Sequence, residues 1–149
     1  MKFIFLFFFV FTINKSHSQS ALKTMSAQKQ IEIDLIVASI EINYSTLEKS
    51  TIEGEDSTSG NYRAEIFWLK KGEILSKANF YFPNTNKRLL FYYWRSEVIA
   101  IFDEAEKLYV VSNNIYNKHT FLIDAKRQNE ILNFNKDVVK NLMAIFREN

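Results

Sequence analysis

Alternation of apolar and polar positions with a period of two runs through the middle of the chain. Residues 62–69 and 73–82 read as two strands joined by Lys70-Lys71-Gly72, a three-residue turn whose last position suits a left-handed glycine. Setting Leu69 opposite Glu73 places Trp68, Ile66, Ala64 and Tyr62 against Ile74, Ser76, Ala78 and Phe80 on one side. Glu65 then meets Lys77 on the other side as an opposite-charge pair. Pro83-Asn84-Thr85-Asn86 turns the chain again, with proline where no ladder N–H is needed. With Phe82 opposite Lys87, Phe80 meets Leu89, Ala78 meets Phe91 and Ser76 meets Tyr93. A tight Arg95-Ser96 turn sets Tyr93, Phe91 and Leu89 against Val98, Ala100 and Phe102, and brings Arg88 beside Asp103.

The reverse side of these strands is also apolar. Leu90, Tyr92, Trp94, Ile99 and Ile101 form a candidate interaction patch there, with Phe67 and Leu75 next along the sheet. Either a partner or another element of the chain has to cover it.

Three- and four-residue steps between Leu22, Met25, Ile33, Ile36, Val37, Ile40, Tyr44 and Leu47 predict an amphipathic helix over residues 21–47. Ile31, Ile33 and Leu35 alternate locally, so a strand also fits there, and length favours the helix. The helix is expected to lie against Trp68, Phe80, Phe91 and Tyr93. Residues 48–60 are polar and acidic and hold two of the three glycines, which predicts a flexible linker. Further strands are expected at 108–112, 116–124 and 130–134. Asn135 is a fair N-cap for a short closing helix over 136–147, with Val138, Val139, Leu142, Ile145 and Phe146 along one stripe. That helix is the natural cover for the patch. The expected fold class is therefore α+β: a seven-stranded antiparallel β-meander over 61–134, an amphipathic N-terminal helix on one face, and a short C-terminal helix.

The first residues change where this fold is expected to work. A positive start and the apolar run from Phe3 to Phe11 are followed by the small residues Ser16 and Ser18 ahead of a cut between Ser18 and Gln19, the pattern of a cleaved secretory signal over 1–18. The remaining residues, 19–149, form a single domain, expected in the periplasm or outside the cell. Cleavage removes two of the 19 basic residues, Lys2 and Lys15, and none of the 17 acidic ones, so the remainder is formally neutral. The electrostatic case for nucleic acid goes with it. No cysteine is present, so neither disulfides nor a lipidated cysteine are expected, and the mature protein is expected to have no membrane attachment.

The hairpins share a theme: Phe67 to Leu75 and Phe91 to Ile99 align without gaps, and Glu130-Ile131-Leu132 is a looser third copy. With the order of helix, acidic segment and paired aromatic strands, and with Lys70-Lys71-Gly72-Glu73-Ile74-Leu75 as its clearest match, the chain resembles a group of small exported bacterial proteins. Ser96 stands where the second hairpin of that pattern has glycine. The resemblance covers residues 31–134 and implies a helix plus an antiparallel meander. It implies no activity and assigns no site residue.

Catalytic chemistry is scarce. Beyond the signal, His119 is the one histidine, which excludes cysteine–histidine catalysis and multi-histidine metal sites, and it sits in an expected strand. Carboxylates at Glu53, Glu55, Asp56, Asp103, Glu104 and Glu106 fall in expected loops, where acidic groups are ordinarily solvated. Asp56-Ser57-Thr58 matches a short bacterial O-glycosylation sequon, so Ser57 and Thr58 are candidate modification sites; Asn43-Tyr44-Ser45 is formally an N-glycosylation acceptor. No cofactor, metal site or enzymatic activity is expected. The leading reading is an exported, non-enzymatic interaction module with a protein partner in the envelope or outside the cell, acting through a sheet face, edge or loop. The alternative is a carrier of small apolar ligands, with a pocket between the curled sheet and the N-terminal helix.

Overall fold

Among the described residues, seven strands cross one antiparallel sheet in chain order, each paired to the next, with one α-helix before them and one after. The computed structural model describes residues 24–56, 59–69 and 74–147. The elements are α1 (Ala27–Ile42), a 3-10 turn (Tyr44–Thr46), β1 (Glu48–Asp56), β2 (Gly60–Leu69) and β3 (Ile74–Phe82). Then follow β4 (Lys87–Trp94), β5 (Glu97–Asp103), β6 (Glu106–Val111), β7 (Asn114–Tyr116) and α2 (Ala125–Arg147). The expected signal segment 1–18 lies outside the described residues.

The segment read as a linker is an edge strand. β1 pairs with β2 along its whole length, from Glu48 opposite Trp68 to Asp56 opposite Gly60. Its inward positions, Ser50, Ile52 and Gly54, carry one large apolar side chain among them, and its outward positions are charged or polar. Edge strands are protected from unwanted pairing in this way, and the same composition imitates a loop. Gly54 has a specific cause: a Cβ there would come within 2.5 Å of the Tyr62 hydroxyl, because the Tyr62 ring lies across it.

Between β3 and β4 the register is the expected one, with Phe82 opposite Lys87, Phe80 opposite Leu89 and Ala78 opposite Phe91. The neighbouring pairs differ. β2 meets β3 with Ile66 opposite Ala78 and Ala64 opposite Phe80, two residues from the expected alignment, and an irregularity next to Trp68 brings Trp68 opposite Leu75. Glu65 therefore faces Asn79 and forms its ion pair with Lys49 of β1, not with Lys77. In β4 and β5, Tyr93 meets Val98 as expected, but a bulge then sets Tyr92 opposite Ala100 and Phe91 opposite Ile101. Asp103 pairs with Lys87 and Arg127, not Arg88.

The two helices have exchanged the faces expected of them. α2 covers the side holding Tyr62, Ala64, Ile66, Trp68, Phe80, Phe91 and Tyr93, and contributes Ile131, Phe134, Val138 and Leu142 to that core. Phe134 sits among the rings of Phe80, Phe82, Tyr62 and Phe91, at centroid separations of 5.0, 5.5, 5.8 and 6.0 Å. The expected strand at 130–134 is thus the second and third turns of α2. The helix begins after Asp124, whose carboxylate accepts from the Arg127 N–H at 2.9 Å. Asn135 is mid-helix and accepts from the Tyr93 hydroxyl at 2.7 Å. Of the expected strand at 116–124 only Tyr116 lies in β7; a turn follows, in which the Asn117 side chain accepts from the N–H groups of His119 and Phe121, and then isolated bridges at Phe121 and Leu122.

Candidate interaction face

α1 starts at Ala27, not 21, where the Ser26 side chain accepts from the Lys29 N–H at 3.2 Å. Its inner side lies on the reverse face of β4–β7. There Ile33 and Val37 join Met25, Tyr92, Ala100, Tyr109 and Tyr116 in a second, smaller core.

Two similar polar links fix the helix. Lys77 on β3 donates to Glu41 at 2.6 Å, and Tyr92 donates to the same carboxylate oxygen at 2.7 Å. The Lys77 ammonium lies over the Tyr44, Tyr92 and Phe67 rings, 4.8, 5.5 and 5.8 Å from their centroids. Two helical turns earlier Lys107 pairs with Asp34 and lies over the rings of Phe102 and Tyr109. Burial by itself would raise the Glu41 pKa. The hydrogen bonds from Lys77 and Tyr92, with the Lys77 charge, outweigh it and hold the carboxyl below its ordinary value. Tyr92 is pushed up by burial and then by Glu41.

The outer side of α1 is apolar as well. Ile31, Leu35, Ala38 and Ile42 follow at steps of four, three and four residues, and the three large side chains are 59%, 67% and 82% exposed. Ordinary surface helices bury one stripe and solvate the other; α1 exposes apolar side chains opposite its buried ones. Among the described residues, the remaining exposed large hydrophobics lie at its two ends. Phe121 stands by its N-terminal approach, where Thr24 bridges to Phe121. Tyr44 follows the C-terminal end, and Leu69 and Trp94 line a groove of about 660 Å³ there with Ser39, Ile40, Asn43, Leu47 and Ile74.

The expected patch is not one surface. Leu90, Tyr92 and Ile99 do come together, but beneath α1: Tyr92 is buried and the other two pack against the same core. Ile101 is buried on the α2 side, carried there by the β4–β5 bulge. Of the five, only Trp94 is exposed, at 49%, in the groove beyond the end of α1. The residues missed were Ile31, Leu35, Ile42 and Phe121. For the three on α1 the signal was in view: residues 31–42 hold too many aliphatics for a single buried stripe.

Trp68, Phe80, Phe91 and Tyr93, the lining of the expected carrier pocket, are fully buried in the core beneath α2. Ser57 and Thr58 lie outside the described residues. Asn43 is the C-cap of α1, its side chain donating to the Ser39 carbonyl at 2.8 Å. His119 is exposed in a turn. Among the described residues no cluster of three or more His, Asp or Glu side chains could hold a metal ion, and no helix is long and apolar enough to cross a membrane. Asp103 and Glu106 both bind Arg127, at 3.1 and 2.8 Å, tying the β5–β6 turn to α2. No family model, curated protein or solved structure matches the chain.

Proposed function

We propose that the protein is an exported, non-enzymatic interaction module that acts through the outer side of α1. The observation that carries this reading is the outward stripe of Ile31, Leu35 and Ile42 on a helix already apolar on its inner side. Apolar side chains exposed together in this way cost solubility unless a partner covers them. Export rests on the charged start and apolar run of residues 1–18. The test is a photo-cross-linking residue at Leu35 or Ile42, in protein made by its own host. Discrete protein adducts are expected there and not from the solvent-facing positions Thr51 and Arg63 of β1 and β2. Adducts absent at both α1 positions overturn the reading.

One observation favours a second reading, a carrier of small apolar ligands. The groove at the C-terminal end of α1, about 660 Å³ and lined by Ile40, Leu47, Leu69, Ile74 and Trp94, has the size of a small-ligand site. Native mass spectrometry of the protein from its host distinguishes the two. A bound small mass lost on denaturation, and lost again on Trp94→Ala, supports the carrier.

A further inference from the structure

We infer that the occupant of the outer α1 face is a second copy of this chain, packed with the two α1 helices antiparallel across a two-fold axis. The inference rests on the reading of α1 as an interaction face and names its partner.

Four observations lead to a copy of the same chain. First, the 4-3-4 spacing of Ile31, Leu35, Ala38 and Ile42 is the spacing of a two-helix seam, with each apolar side chain meeting a gap on the facing helix. Second, the stripe complements itself when reversed. An antiparallel pair centred between Leu35 and Ala38 sets Ile31 against Ile42 of the other copy and each large Leu35 against a small Ala38, so the helices can approach closely. Third, the flanks of the stripe carry no unanswered charge. Asp34 and Glu41 are paired with Lys107 and Lys77 of their own sheet, and Glu32 with Lys29 at 2.8 Å. Two such helix stripes do not repel each other; Arg95 lies beyond them, in the lining of the groove at the C-terminal end of α1. Fourth, the area suffices. Ile31, Leu35, Ile42, Tyr44, Leu69, Trp94 and Phe121 together expose on the order of 800 Å², what each partner gives up in a standard-size interface.

Reversal also brings unlike ends together. Each copy carries the Phe121 ring at the N-terminal approach to α1 and the Trp94 groove beyond its C-terminal end. In the antiparallel pair the Phe121 end of one copy lies towards the groove end of the other, twice over. The interface is then isologous and closed, as a two-fold dimer requires.

The chain has no cysteine, so single introduced thiols report the geometry cleanly. Protein recovered from its host is expected to sediment at twice its own chain mass, and Leu35→Glu to halve that mass with an unchanged circular dichroism spectrum. Ile31→Cys and Ile42→Cys proteins, mixed and oxidised, should cross-link to each other. Either one by itself should not, because equivalent thiols stand about 16 Å apart along the axis. Cross-linking of each variant with itself means a parallel pair and overturns the arrangement. A monomer at all concentrations overturns the second copy as occupant. If its thiol at position 31 then reacts freely, the interaction face survives with another partner. If that thiol is protected, the chain covers its own stripe and the proposed function falls too.

Discussion

The Lys77 ammonium donates to the Glu41 carboxylate at 2.6 Å while lying over the ring of Tyr44, 4.8 Å from its centroid. This contact joins the last turn of α1 to β3, and it depends on Glu41 being ionised. The folded carboxyl titrates below its ordinary value of 4.5. The link therefore contributes fully above that value and is lost as pH falls through the lower, folded one. Glu41 is partly solvated, so the contribution is at most about 1 kcal/mol. Hydrogen exchange measured on acidification should show α1 losing protection before β3 and β4, and Glu41→Gln should bring the same loosening to neutral pH. Simultaneous loss in all three would remove Glu41 as the link.

Phe134 packs edge-on to Phe80, ring planes at 81°, and touches three further rings of the sheet. Phe134→Ala should cost about 3–5 kcal/mol in urea unfolding, and Phe134→Leu clearly less. A cost for Phe134→Ala near that of a surface substitution would mean that α2 does not close this core.

Trp94 and Ile101 share a face in the simple alternating pattern, and the β4–β5 bulge parts them. Ile101→Ala should destabilise by about 2–5 kcal/mol, as a buried aliphatic does. Trp94→Ala, at the half-exposed rim of the groove, should cost about 1 kcal/mol or less in the separated chain. Equal costs would place both on one surface and contradict the bulge.

Gly54 leaves room for the Tyr62 ring, itself held by Phe80, Phe82 and Phe134. Gly54→Ala should therefore destabilise by about 1–3 kcal/mol, although alanine suits a strand at least as well. Glu53→Ala, on the outer side of the same strand, should be close to neutral. Thermal unfolding of the two variants makes the comparison.

Much of the sheet was legible because pairing in a meander is local. Phe80, Ala78 and Leu89 alternate within single strands, and the Pro83–Asn86 turn leaves the β3–β4 register little freedom. β1 was hidden because an edge strand buries only one side, and Ile52 is its single large inward residue. The start of α2 was hidden for another reason. Glu130, Ile131 and Leu132 read equally well as a strand, and only the three- and four-residue steps from Ile131 through Phe134 and Val138 to Leu142 carry the helical period across Asn135.

Of the candidate face, the sequence placed Leu90, Tyr92 and Ile99 together on the second side of the sheet. It could not say that they lie beneath α1, leaving Ile31, Leu35 and Ile42 outside. Local pattern determined an antiparallel meander in chain order, a helix at each end and two apolar sheet faces; the count of seven agrees only because β1, read as a linker, replaces the strand expected at 130–134. Tertiary structure decided which helix covers which face. The α2-side core, with Trp68, Phe80, Phe91 and Tyr93, is the larger and takes the helix of 23 residues; the smaller face over β4–β7 takes the helix of 16. Alternation records that a residue points to one side or the other, but the choice of cover depends on the area to be filled and on bulges that move Leu75 and Ile101 between faces. Those are properties of the assembled sheet and of no single stretch of chain.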